Sequence, residues 1–320
     1  MALFADADLP SGAEERELVA LDGVRLRAAR WTPSHARGTV VLLGGRTEFI
    51  EKYAETIADL LARGLAVATL DWRGQGGSER QLADPYKGHI DDFALYERDF
   101  VAFVREVLPD CPRPWIGLCH SMGGAIMLRI AHAGRCPFDR LALSAPMIAL
   151  YGQAEPRWAR RLVEALDALG LGGLYAPGGG GRPYGLSPFE GNVLTSDPVR
   201  YARFGDVLRA HPALGLGGPT IGWVHAALRL MREFAEPDYP RAIAMPILVI
   251  ACGADRVVDT RSVERFASRL RAGSLIVIDG ARHEAMFERD PLRELFFKAF
   301  DAFALGATAP APAFTSPYPG

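Results

Sequence analysis

Three residues of the types whose side chains can together carry out acyl transfer occur in the order Ser121, Asp255, His283. A serine hydroxyl attacks a carbonyl only if a base takes its proton. An imidazole serves as that base when a carboxylate fixes its tautomer and stabilises its charged form. Ser121 lies in WIGLCHSMGGAIMLRI, residues 115–130, where an apolar strand-like run gives way to a helix-like one. A sharp strand-to-helix turn there would lift the hydroxyl toward a substrate and aim the Met122 amide at a developing oxyanion. Such a turn needs small residues two positions before and after the serine: Gly123 complies, whereas Cys119 stands where glycine is usual. The competing reading of Ser121 alone is an ordinary helix N-cap.

The acid and the base each follow a late predicted strand. PILVIACGAD brings Asp255 just past one, and LIVIDGARHEAMF brings His283 just past the next. Asp259 and Asp279 compete for the acid role, but the first falls about one helical turn late and the second still belongs to its strand. Of the other histidines, His120 adjoins the serine and is predicted to point elsewhere, because adjacent side chains in a sharp turn diverge. His35, His132 and His211 read as surface or loop, and His89 and His225 as substrate contacts or hydrogen-bonded structural residues. A second oxyanion donor is expected from GGRTEF, residues 44–49, with the Arg46 N–H preferred and Gly45 as the alternative. The Arg46 side chain has two open readings, a phosphate ligand or a partner of Glu48 or Glu51.

These groups need a rigid frame, and the hydrophobic pattern supplies one. Residues 18–31 read as two short strands around the hairpin dipeptide Asp22-Gly23. Apolar runs at 39–43, 65–70, 115–119 and 140–144 then alternate with helical segments, clearest at 50–63 and 91–108. Strands too apolar for a wet face, joined by crossover helices, predict a parallel sheet covered on both sides. The alternation stops after Pro146 and resumes at Pro246, leaving an insertion of about a hundred residues. Within it Trp158, Leu162, Leu166 and Leu169 share one helical face, and residues 170–185 are rich in glycine and expected to be mobile. DWRGQGGS (71–78) and PGGGGRP (177–183) do not fit a phosphate-binding loop and read as turns.

The chain has 320 residues, 49% hydrophobic and 23% charged, with a formal charge of −2. That argues against nucleic acid bound through phosphates. The four cysteines, Cys111, Cys119, Cys136 and Cys252, lack C-x-x-C spacing and read as reduced thiols rather than a zinc site. No apolar run reaches spanning length and the first residues do not resemble a leader, so the cytoplasm is the expected compartment.

With the serine turn, the GGRTE loop, DWRGQGGS and the late GAD and RHE segments in place, the chain resembles the α/β-hydrolases. From about Val24 to Phe303 it is similar to their monoacylglycerol lipase and bacterial lysophospholipase branch, the serine aminopeptidase S33 type. The resemblance implies a mostly parallel sheet flanked by helices, with residues 1–146 and 241–304 forming the hydrolase core. It implies a helical cap over an acyl-binding cleft at 147–240, and 305–320 is expected to be a loose tail. It assigns Ser121 as nucleophile, Asp255 and His283 as its partners, and Met122 and Arg46 as backbone oxyanion donors. Gly45, Trp223 and His89 are candidate substrate contacts, and Arg200, Arg203 or Arg229 candidate ligands of an anionic head group. The loop departs from the His-Gly start of many relatives, which brings it nearer the lysophospholipase side.

The expected activity is cofactor- and metal-independent cleavage of the carboxylic ester of a single-chain lipid, a lysophospholipid or monoacylglycerol, through an acyl-enzyme. The alternatives are a short-chain carboxylesterase or thioesterase, and a ligand-binding protein without turnover. A water-insoluble substrate would bring the cap against the inner membrane face, with Trp158 and its helical face as the contact. No protein partner is evident.

Overall fold

The computed structural model describes residues 8–152 and 157–306, excluding the side chains of 157–160. Trp158 and most of the expected tail therefore lie outside the described side chains. Eight strands form one sheet in the order β1-β2-β4-β3-β5-β6-β7-β8. They are β1 (Glu14–Val19), β2 (Arg25–Trp31), β3 (Thr39–Leu43), β4 (Ala66–Leu70), β5 (Trp115–His120), β6 (Arg140–Ser144), β7 (Ile247–Cys252) and β8 (Gly273–Ile278). The first hairpin is antiparallel and joins β4 antiparallel, whereas every pair from β4 to β8 is parallel. The hairpin turns at Gly23, with φ of 86°, and its first strand begins at Glu14, earlier than the hydrophobic pattern suggested. Strands β3, β4, β5 and β7 are buried at every position, which is why they read as unbroken apolar runs.

Helices α1 (Ala54–Ala62), α2 (Ala94–Glu106) and α3 (Ser121–His132) follow the early strands. Between β6 and β7 come α4 (Arg157–Leu166), α5 (Pro198–Ala210), α6 (Ile221–Ala235) and the short α7 (Tyr239–Ala242). The core resumes with α8 (Thr260–Ala267) and α9 (Asp290–Leu305).

The segment between β6 and β7 rests on loops beyond the carboxyl ends of the strands. The Glu284 amide donates to Leu194 O at 2.8 Å and the Thr195 hydroxyl to Phe287 O at 2.7 Å. Phe93 packs on Trp223 with ring centroids 5.9 Å apart. Within residues 170–185, expected to be mobile, the exposed glycines around 180 lie against a second glycine segment. Gly218 N–H donates to Gly180 O at 2.7 Å, Gly217 N–H to Tyr86 O at 2.8 Å and Gly88 N–H to Gly218 O at 3.2 Å. A Cβ on Gly217 would lie 2.4 Å from Gly180 O, so here glycine serves close approach of backbones.

Candidate active site

β5 ends at His120 and α3 begins at the next residue, so Ser121 itself carries the whole change of direction. Its φ is 47°, in the left-handed region that side chains avoid. A Cβ on Gly123 would fall 2.6 Å from both Leu43 O and Gly44 O, so only glycine lets α3 start against the end of β3. Cys119 is fully buried in β5 and burial pushes its thiol pKa well up, so it is a packing residue beneath the turn.

The late loops converge on this serine. His283 Nε2 lies 3.0 Å from Ser121 Oγ, and His283 Nδ1 lies 2.7 Å from Asp255 Oδ2. The other carboxylate oxygen of Asp255 accepts the Val257 and Val258 amides at 2.7 and 3.0 Å, which fixes the plane presented to the imidazole. Gly253 N–H to Ile278 O and Ala254 N–H to Ala281 O, both 2.9 Å, tie the two loops together. Since Asp255 occupies Nδ1, neither competing carboxylate is the acid partner. Asp259 instead caps α8, accepting the Ser262 amide at 2.7 Å, and Asp279 sits just past β8. Ser121, Asp255 and His283 are all buried.

The loop after β3 lies against the serine: a Cβ on Gly45 would be 3.1 Å from Ser121 Cβ. Thr47 takes a positive φ of 66°, and the Gln75 amide holds Gly45 O at 2.7 Å and Glu48 O at 3.1 Å. The Met122 amide belongs to the first turn of α3, where amides have no acceptor within the helix. Met122, which follows the serine, and the loop that carries Gly45 thus lie beside Ser121.

A buried network holds this loop. Glu48 accepts from the Gly45 amide, from Tyr53 Oη at 2.5 Å and from Lys52 Nζ at 3.0 Å. Lys52 also pairs with Glu284 at 2.5 Å. His120 turns away from the serine, as predicted, and places Nδ1 3.0 Å from Glu48 Oε1 and Nε2 3.2 Å from His283 O. Both neighbours can only accept, so each ring nitrogen must donate and the ring is an imidazolium. Burial opposes the charge, but the Glu48 carboxylate raises the His120 pKa above its ordinary value. Burial would raise Glu48, yet His120 and Lys52 hold it well below the carboxylate range. No single stretch of the chain marks this network, because its members come from residues 48, 52, 53, 120 and 284.

The Arg46 side chain pairs with neither glutamate. Glu48 is engaged as above, and Arg27 grips both oxygens of Glu51 at 2.7 Å. His89 is held by Thr220 Oγ1 at 2.8 Å and Asp91 Oδ1 at 3.0 Å, and His225 by Asp167 at 2.6 Å. Trp223 is buried against Phe93. Arg200 pairs with Glu55, Asp197 and Asp290, Arg203 with Glu55, and Arg229 with Asp92. A cavity of about 490 Å³ between α1 and α5 is lined in part by Lys52, Glu284 and Phe287, and its lining does not include Ser121. Among the described residues, no three His, Cys, Asp or Glu side chains converge as a metal site, and no helix is long and apolar enough to cross a membrane.

Residues 34–290 match the model of the serine aminopeptidase S33 family. The chain is 35% identical to lysophospholipase L2 of Escherichia coli strain K12 over 308 residues, covering 91% of this chain and 87% of that one. It is 28% identical to the monoacylglycerol lipase of Mycolicibacterium smegmatis, over 87% of this chain and 92% of that one. A solved soluble variant of the Saccharomyces cerevisiae monoglyceride lipase, in complex with a substrate analogue, superposes with a TM-score of 0.72. That match is 19% identical and covers 92% of this chain and 97% of the other. The chain therefore belongs to the serine aminopeptidase S33 family and has the α/β-hydrolase fold.

Proposed function

We propose that the protein is a serine hydrolase that cleaves the carboxylic ester of a single-chain lipid, a lysophospholipid or monoacylglycerol, through an acyl-enzyme. The observation that carries this reading is the buried relay from Ser121 Oγ through His283 to Asp255. The likeness to lysophospholipase L2 and monoacylglycerol lipase supports the substrate class. Ser121 Oγ attacks the ester carbonyl while its proton passes to His283 Nε2, and Asp255 stabilises the imidazolium. The tetrahedral oxyanion is held by the Met122 and Arg46 amides; removal of one such donor typically costs on the order of a hundredfold or more in rate. His283 then protonates the departing alcohol, water attacks the acyl-enzyme by the same route, and the fatty acid leaves.

In this reading residues 147–240 are the cap that encloses the acyl chain. The cap also meets the inner membrane face. Beside the exposed Arg161, the α4 region exposes Leu162, Leu169 and Leu174 at 49, 74 and 50%, a basic and apolar combination suited to an anionic lipid surface. Wild-type protein floats with anionic vesicles and the double variant Leu162→Glu, Leu169→Glu does not; equal flotation of the two contradicts the membrane contact.

A fluorophosphonate probe tests the chemistry. It labels Ser121 in folded protein, and Ser121→Ala loses both labelling and ester hydrolysis. Folded wild-type protein that stays unlabelled and leaves lysophospholipid and monoacylglycerol intact refutes the reading.

A further inference from the structure

The residue after Gly45 carries a cation that the fold leaves uncompensated. The Arg46 guanidinium lies at the seam between the core loop and the segment 215–220. Its Nη2 donates to Gly217 O at 2.6 Å, while Nε is buried and has no hydrogen-bond partner. Among the described residues no carboxylate pairs with it. Its other neighbours are the face of Trp223, 5.3 Å from the guanidinium carbon, and Gly88, where a Cβ would lie 2.4 Å from Nη2. Burial without a counter-charge lowers its pKa to about 10. Leaving a buried donor unsatisfied costs about 1–3 kcal/mol. Arg27, Arg73 and Arg200 have carboxylate partners, whereas Arg46, like Arg80, is held by backbone carbonyls and keeps a buried N–H without an acceptor.

The Nε–Nη2 edge of a guanidinium is a fork that matches two oxygens of a phosphate. Here one prong is empty and the other holds a single backbone carbonyl of a glycine segment. A ligand oxygen that displaced Gly217 O would meet both prongs at once. The fork belongs to the residue next to Gly45, which touches the serine turn, so an anion on it would lie within a lipid's length of the reacting ester. We propose that the Arg46 side chain is a receptor for the phosphate of the substrate's head group, so that the enzyme selects anionic lysophospholipids over neutral monoacylglycerols. This rests on the lipid-ester reading above and adds to it the charge of the preferred substrate.

The test is a ratio: kcat/KM for lysophosphatidylglycerol divided by kcat/KM for monoacylglycerol with the same acyl chain. Any loss common to both, through the oxyanion loop or folding, cancels. Arg46→Met lowers the ratio at least tenfold and Arg46→Lys, which keeps the charge without the fork, gives an intermediate value. A ratio unchanged within twofold in Arg46→Met overturns the proposal and leaves the serine hydrolase reading intact. Wild-type protein active on monoacylglycerol alone also overturns it. Should Arg46→Met not fold, sn-glycerol 3-phosphate decides on the wild type. It raises the KM for monoacylglycerol, and no rise, or an equal rise with inorganic phosphate alone, contradicts head-group recognition. Failure of the hydrolase reading looks different: neither ester is cleaved and Ser121 is not labelled.

Discussion

Two sides of one loop treat buried charge in opposite ways. On the Glu48 side, Lys52, His120 and Tyr53 converge on a carboxylate, Glu284 supplies a second, and the donors reach acceptors. On the Arg46 side, a guanidinium has one glycine carbonyl and one bare N–H. The first arrangement fixes geometry. It ties the loop after β3 to the end of the strand that leads into Ser121 and, through His120 Nε2, to the backbone of His283. The second retains an unmet demand that a ligand can satisfy, and it is found where the inserted segment meets the core. Within a few residues the chain holds one buried charge network closed and leaves one guanidinium open.

The contrast can be broken first at Glu48. Glu48→Gln leaves an ammonium and an imidazolium short of their carboxylate, and removing one member of a buried ion pair costs about 3–5 kcal/mol. Urea unfolding measures it, and a loss below about 1 kcal/mol would mean that the network contributes little. pH probes the same side. The raised pKa of His120 makes its contribution complete below its unfolded value near 6.5 and lost as pH climbs through the folded value. The lowered pKa of Glu48 makes its contribution present above about 4.5 and lost only as pH falls through a much lower value. The stability difference between wild type and His120→Asn should therefore shrink from neutral toward alkaline pH. A difference that stays flat from about pH 6 to 10 removes the imidazolium from the account. The smallest effect has the opposite sign. Arg46→Met relieves an unsatisfied buried donor at the loss of one hydrogen bond, for a net gain of about 1 kcal/mol. A thermal melt showing Arg46→Met less stable would place the guanidinium with the positioning groups instead.

Much of the core was legible in the sequence. Strands buried on both faces leave continuous apolar runs, so β3 to β7 were readable as a parallel sheet, and Ser121, Asp255 and His283 followed from their places past strand ends. The direction of His120 was readable as well, from the sharpness of the turn, but its partner was not: Glu48 is 72 positions away and no periodicity links them. The glycines of 178–181 read as a turn; that they also meet another backbone closely shows only where Gly217 and Gly218 pack on Gly179 to Gly181, because glycine serves loose chain and close approach equally well. Likewise the absence of a carboxylate partner for Arg46 among the described residues depended on Arg27 claiming Glu51, a pairing between two separate segments of chain.

The left-handed backbone of Ser121 carries one more implication. An L side chain pays roughly 1–2 kcal/mol in that conformation and glycine pays almost nothing, although a more flexible unfolded chain takes part of the gain back. Ser121→Gly and Ser121→Ala would both be inert, yet melting should rank the glycine protein above the alanine one. The molecule would then be at its most comfortable once its own reagent is gone, and its durability has been given up at the atom that makes it useful.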